Sequence, residues 1–366
     1  MLHVFLLLGC AVVIYLACEW FVNAVEWLGV ALRVGPLAVG TILAAAGTAL
    51  PESVVTLVAV TLGHDARSKD IGVGAAMGGP LALATIAYGV TGLTLLLRRR
   101  AARVPVAVPA AVGELAGAAG SDLADPDPGP GTADPGVGEA SLLDGEITRK
   151  LARDQTWFMA IFVFKVGLGL VAFAVKPWLG LVFFALYAVY FWHEISSAEG
   201  EAEADDLEPL KLLPGRERPP MWAVTAQTLA TLIVIFGASQ LFVQQLEWAG
   251  PALGLPAAVV ALLLSPIATE LPEVMNAIIW VRAGKTRLAL ANISGAMMIQ
   301  ATVPSGLGLL FTPWRFDGPL LLSGLVTMAA IGYLLLTLRA GRLTAVRLTW
   351  AAGFYLLFAT GLALVI

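Results

Sequence analysis

Two short stretches place acids where no water is expected. "GTALPES" spans residues 47–53 and "ATELPEV" spans 268–274, and each lies inside an apolar run long enough to enter a bilayer. Together they supply Glu52, Glu270 and Glu273, with the hydroxyls of Thr48 and Thr269 one helical turn before Glu52 and Glu273. A carboxylate at the centre of a membrane helix costs roughly 2.5–3.5 kcal/mol on insertion scales, so three of them imply a function that uses their charge. Pro51 and Pro272 lack an amide hydrogen, and Gly47 adds backbone freedom in the first stretch, so each helix is expected to break there and free backbone carbonyls. Carboxylates, hydroxyls and freed carbonyls form an all-oxygen set, which hard cations such as Ca²⁺ and Na⁺ prefer.

The elements that must position these groups follow from composition. The 366 residues are 58% hydrophobic and 13% charged, with a mean hydropathy of +0.84. A soluble domain would carry about 25% charged residues, so the chain reads as an integral membrane protein. Its net charge of −4 arises with an acidic excess in linkers and gives no footprint for nucleic acid. Cys10 and Cys18 lie eight residues apart in one apolar helix, roughly 12 Å at the helical rise, too far for a disulfide. They are expected to be packing residues. The N-terminus lacks a basic n-region, so no cleavable signal peptide is expected. Neither a P-loop, a His-Glu-x-x-His pair nor a Ser/His/Asp set occurs at membrane depth. No enzyme activity or cofactor is therefore expected, and coupling to a second ion is the default source of energy.

Apolar stretches of about 20 residues fall at 3–27, 36–63, 71–96, 156–175, 178–195, 222–246, 255–281, 288–311, 317–338 and 345–365. Two polar segments interrupt them, a Gly/Pro/Asp-rich one at about 101–154 and an acidic one at 196–221, both read as solvated linkers without a core. Lys and Arg test the placement independently: with the N-terminus outside, 17 of the 22 fall in inside loops. This predicts ten spans, both termini outside and both linkers cytoplasmic.

The two motifs belong to an internal repeat. Glu26-Trp27 recurs as Glu247-Trp248, and Thr48, Leu50, Pro51 and Glu52 recur as Thr269, Leu271, Pro272 and Glu273, all at an offset of 221. Further on, Gly78 and Ala84-Thr85 match Gly295 and Ala301-Thr302 at an offset of 217. The repeated units are residues 1–195 and 222–366, five spans each, and an odd number of spans inserts the second copy upside down. The expected fold is an all-α polytopic membrane protein: ten transmembrane helices as two inverted five-helix repeats, with broken helices at the midplane. Secondary transporters place their substrate site where such repeats meet.

Other polar residues invite plainer readings. Glu19, Asn23 and Glu26 share one helix face and are expected on a solvated or vestibule surface. Lys165 is expected to snorkel or to pair with a carboxylate. His193-Glu194 and His64 lack metal-ligand company and read as interface residues.

The stretches "GTILAAAGTALPES" (40–53) and "SPIATELPEVMNAIIWVRAGKTRLALANISGAMMIQAT" (265–302) resemble the two alpha repeats of the sodium/calcium exchanger membrane region, within the calcium/cation antiporter superfamily. The resemblance covers both halves and implies alternating access for a cation exchanged against Na⁺ or H⁺. It implies cation ligands at Glu52 and Glu273 with Thr48 and Thr269; Glu270 restores a negative charge and Gln300 supplies an amide oxygen. The chain departs from the pattern elsewhere: the motif serines are replaced by Ala49 and Glu270. The family's Gly-Ser-Asn motifs read Gly78-Gly79-Pro80 with Leu83, and Gly295-Ala296-Met297 with Gln300. The expected substrate is Ca²⁺ or a similar cation; alternatives are Na⁺/H⁺ exchange without calcium, or a transport-dead scaffold or sensor. Expected partners are inorganic cations and the lipid bilayer of the cell membrane, not nucleic acid; no protein partner is legible.

Overall fold

A computed structural model describes residues 2–35, 38–61, 66–103, 145–196, 207–252, 263 and 265–365. Within them the secondary structure is helical and contains no strand. In hydrocarbon every backbone N–H and C=O needs an internal partner, and a helix supplies one residue by residue.

The first half runs as α1 (Leu2–Leu32), a π-helical turn (Val39–Ala44) leading into α2 (Ala45–Thr61), and α3 (Ala66–Ala82). A second π-helical turn (Leu83–Ala87) leads into α4 (Tyr88–Arg103), followed by α5 (Gly145–Leu170) and α6 (Leu179–Ser196). The second half comprises α7 (Met221–Ala252), the short α8 (Ser265–Thr269), α9 (Leu271–Arg282), α10 (Thr286–Phe311), α11 (Gly318–Arg339) and α12 (Ala345–Val365). Seven segments among the described residues are long and apolar enough to cross a membrane: Phe5–Leu32, Gly72–Arg100, Lys176–Ser196, Met221–Phe242, Thr286–Phe311, Gly318–Arg339 and Ala345–Val365. The chain is a multi-pass, all-helical membrane protein.

Helix α10 is the axis of the fold. Every residue from Leu288 through Thr302 is buried, the polar Asn292, Ser294, Gln300 and Thr302 included. It packs against α2, α3, α5, α6 and α9, while α11 and α12 pair outside it and α4 lies along α12. Helices α1 and α7, which carry the repeated Glu-Trp pairs, form the most extensive helix pair among the described residues.

Three features differ from the sequence expectation. Helix α2 continues through Gly47 and Pro51, and the irregularity lies before it in the π-helical turn. One proline removes one backbone hydrogen bond, which a helix packed on neighbours tolerates. In the second half the expected break does occur: Glu270 (φ −87°, ψ 6°) separates α8 from α9, and Pro272 falls in the first turn of α9, where its missing N–H is no loss.

The linkers are also shorter than expected. Helix α5 begins at Gly145, inside the stretch read as solvated to 154, and residues 207–213 of the acidic linker dock on α1. There Leu210 is fully buried among Ala24, Trp27, Ala223 and Val224. Residues 104–144 and 197–206 lie outside the described residues, as do 36–37, 62–65 (which include His64) and 253–262.

Candidate functional site

Five elements converge where the two motifs meet. Helix α10 contacts α2, α3 and α9, and α8 leans on α3. The approach is close because α3 carries two glycines there. A β-carbon on Gly78 would sit 2.6 Å from Cγ of Pro266, and one on Gly79 would sit 2.5 Å from Oε1 of Gln300 and 2.8 Å from Oε1 of Glu270. Side chains of the second half thus reach the backbone of the first half at Gly79.

Glu270 and Glu273 are each 1% exposed. Glu270 is the N-cap residue of α9 and Glu273 lies in its first turn, so the positive end of the helix dipole offsets part of the cost of burying them. The side-chain amide of Gln300 on α10 donates to both oxygens of Glu270, at 2.7 and 2.6 Å. Its own Oε1 is buried without a hydrogen-bond partner among the described residues. The motif threonines bond within their own helices. Thr48, 5% exposed, donates to the Ala44 carbonyl at 3.1 Å, and Thr269 donates to the Pro266 carbonyl at 3.2 Å. Each donates its single proton backwards along its helix, so its oxygen lone pairs remain to accept or to ligate. The backbone of Glu52 belongs to α2, but its side chain lies outside the described residues.

Two residues with no part in the sequence reading belong to this core. Asn276, one turn beyond Glu273 on α9, and Asn292, two turns before Gln300 on α10, are fully buried, and neither amide oxygen nor nitrogen has a hydrogen-bond partner among the described residues. Buried amides are normally satisfied. Their presence in an apolar helix was the available signal.

Other expectations are corrected. Asn23 is 7% exposed and does not face a vestibule. Its Nδ2 donates to the carbonyls of Glu208 and Pro209 at 3.3 and 3.2 Å, and its Oδ1 accepts from Lys211 N and Gln227 Nε2 at 3.0 and 3.1 Å. Glu26 accepts from Trp280 Nε1 at 2.9 Å and pairs with Lys285 at 2.5 Å, and Glu19 pairs with Lys211 at 3.7 Å. That face clamps the linker and the end of α9. Lys165 does not snorkel: it is fully buried, donates to the Ala76 carbonyl at 2.9 Å and Ser305 Oγ at 3.1 Å, and lies 4.4 Å over the Phe162 ring. No carboxylate pairs with it among the described residues. Glu194, read as an interface residue, is 2% exposed, pairs with Lys150 and accepts from Thr41 Oγ1 at 2.9 Å. The cysteines are free and buried, as expected of packing residues.

The fold and site define a polytopic membrane protein that buries two acidic side chains and an amide oxygen where helices of its two halves meet. A sequence model described as "Sodium/calcium exchanger protein" matches residues 2–119 and 223–366. The chain belongs to the sodium/calcium exchanger protein family. A curated protein of Alkalimonas amylolytica named as an antiporter, CaxA, is 29% identical over 126 residues, covering 34% of this chain and 40% of that protein. The match thus spans less than half the length of this relative. Solved structures of the sodium-calcium exchanger NCX_Mj share the fold. One soaked with Na⁺ and Sr²⁺ gives a TM-score of 0.69 at 16% identity, covering 97% of each chain. Another soaked with Na⁺ and Ca²⁺ also gives 0.69 at 16% identity, covering 98% of this chain and 97% of that one.

Proposed function

We propose that this chain is a secondary active cation antiporter that exchanges Ca²⁺, or a similar cation, against Na⁺ or H⁺ by alternating access. The observation that carries the reading is the burial of Glu270 and Glu273, each 1% exposed, in the core of a membrane protein, with Glu270 held by Gln300, whose own Oε1 is unpartnered among the described residues. Buried carboxylates and a buried amide oxygen are the ligands a hard cation takes in exchange for its water. Glu52, Thr48 and Thr269 complete the proposed set. The protein needs no resident cofactor, since the cation is its substrate.

In this reading the ten spans form two inverted repeats, residues 1–195 and 222–366. Both termini face outward from a cell membrane, and the linkers at 101–154 and 196–221 face the cytoplasm. The family membership and the NCX_Mj fold support this arrangement, as does the pairing of α1 with α7.

Specific residues also favour a second reading, Na⁺/H⁺ exchange without calcium. Gly79, Ala296 and Met297 offer no side-chain oxygen where the family motif would have Ser and Asn, so the site is poorer in neutral ligands than a calcium site requires. Proteoliposomes holding the purified protein separate the two. Calcium uptake driven by an imposed Na⁺ or pH gradient supports the first reading. Gradient-driven Na⁺ or H⁺ flux with no calcium uptake supports the second, and absence of any flux refutes both.

A further inference from the structure

The side of the molecule that holds most of its Lys and Arg carries a groove between α5 and α11 of about 580 Å³. Its walls are basic. Arg149 and Arg153 project from α5 one turn apart, and Arg339 enters from the last turn of α11. Arg339 Nη2 donates to Thr156 Oγ1 at 3.2 Å, which holds the guanidinium across the groove. Among the described residues neither Arg149 nor Arg339 has a carboxylate partner, and Arg153 reaches Asp154 only at 4.0 Å. Three guanidinium groups therefore converge on a hollow that supplies almost no negative charge.

Below the arginines the groove turns apolar. Ala152 and Ala160 leave its floor open, and Trp157 stands at its edge. Beyond it Val163 and Phe164 continue along α5 as exposed apolar surface. A second hollow shares Arg149, Ala152 and Arg339 and extends past Leu338 to Gly341. Along α5 the order is charge, then an indole, then exposed apolar side chains.

We infer that this groove binds the headgroup of an anionic phospholipid from the cytoplasmic leaflet, its phosphate held by Arg149, Arg153 and Arg339 and its acyl chains lying along Trp157, Ala160 and Phe164. The guanidinium fork matches the geometry of a phosphate and is less tightly hydrated than an ammonium. Basic pockets between transmembrane helices on the cytoplasmic side take anionic headgroups, and Trp belongs at that depth. A soluble anion would leave the apolar floor uncovered, whereas a lipid covers both parts. The inference depends on which face of the protein meets the cytoplasm and not on which ion is transported.

The test is native mass spectrometry of the full-length protein in detergent, with phosphatidylglycerol and phosphatidylcholine of identical acyl chains. The wild type should retain phosphatidylglycerol in preference to phosphatidylcholine, and the triple variant R149Q/R153Q/R339Q should lose that preference. If the triple variant does not fold, R149Q and R339Q singly should each weaken phosphatidylglycerol binding by about fivefold. Equal retention of the two lipids by the wild type, or an undiminished preference in folded variants, would overturn the inference. So would displacement of phosphatidylglycerol by inorganic phosphate in the millimolar range, which would make this a site for a free anion. Lipid binding is read without transport, so its failure and that of the antiport reading are distinguishable.

Discussion

Gln300 on α10 gives its amide protons to both carboxylate oxygens of Glu270, at 2.7 and 2.6 Å, and turns its own carbonyl oxygen toward Gly79 of α3. One side chain thus orients a buried acid and supplies a further oxygen. The pair also moves negative charge: the acid stands at the break before α9, and the neutral partner stands on α10.

Removing that partner leaves Glu270 buried with less compensation. Gln300→Leu should lower stability by about 1–3 kcal/mol, the cost of an unmet buried polar group, and should lower exchange with it. Gln300→Glu places two carboxylates in contact and should make exchange more sensitive to acid, because like charges at close range favour protonation. Thermal melting in detergent and flux against pH measure both effects.

The closeness of α3 gives a second expectation. Gly79→Ala would put a methyl 2.5 Å from Gln300 Oε1 and 2.8 Å from Glu270 Oε1, and those groups must then move off their positions. Flux should fall by about tenfold or more, since misplacement on the ångström scale is costly at a preorganised site. The protein should still elute as a folded species. Undiminished flux would show that the Glu270–Gln300 geometry is not what the substrate meets.

The buried cation on α5 behaves differently. Lys165 is bound by a carbonyl and a hydroxyl and has no carboxylate among the described residues. A fully buried charge without an opposite charge is costly, and a neutral isostere avoids that cost. Lys165→Met is expected to melt at or above the wild-type temperature. A clear fall in melting temperature would contradict this.

Much of this arrangement was legible in the sequence, for physical reasons that differ by element. The acids at 270 and 273 stood out because a carboxylate in a long apolar run is expensive, and both prove to be buried in the core. The start of α5 was missed because its first turns carry Glu146, Arg149, Lys150, Arg153 and Asp154, which erase the apolar signal while leaving the helix intact. Asn276 and Asn292 did not stand out because burying a neutral amide costs far less than burying a charge, so neither demanded a function. The role of Asn23 could not be read from its own helix, since its partners lie about 185 residues away in the linker and beyond it on α7.

That linker contact makes a fourth prediction. Asn23→Ala removes bonds to Glu208, Pro209, Lys211 and Gln227 together, and should cost about 1–3 kcal/mol. Hydrogen exchange should show residues 207–213 losing protection while α10 keeps its own. Unchanged protection at 207–213 would mean that Leu210 alone holds the segment.

The central claim is that cations are exchanged at Glu270 and Glu273. The most direct measurement is ⁴⁵Ca²⁺ uptake into proteoliposomes under an imposed Na⁺ or pH gradient, comparing the wild type with Glu270→Gln and Glu273→Gln. The wild type should show gradient-driven uptake, and both variants should lose it while still folded. Uptake undiminished in the two variants would contradict the claim.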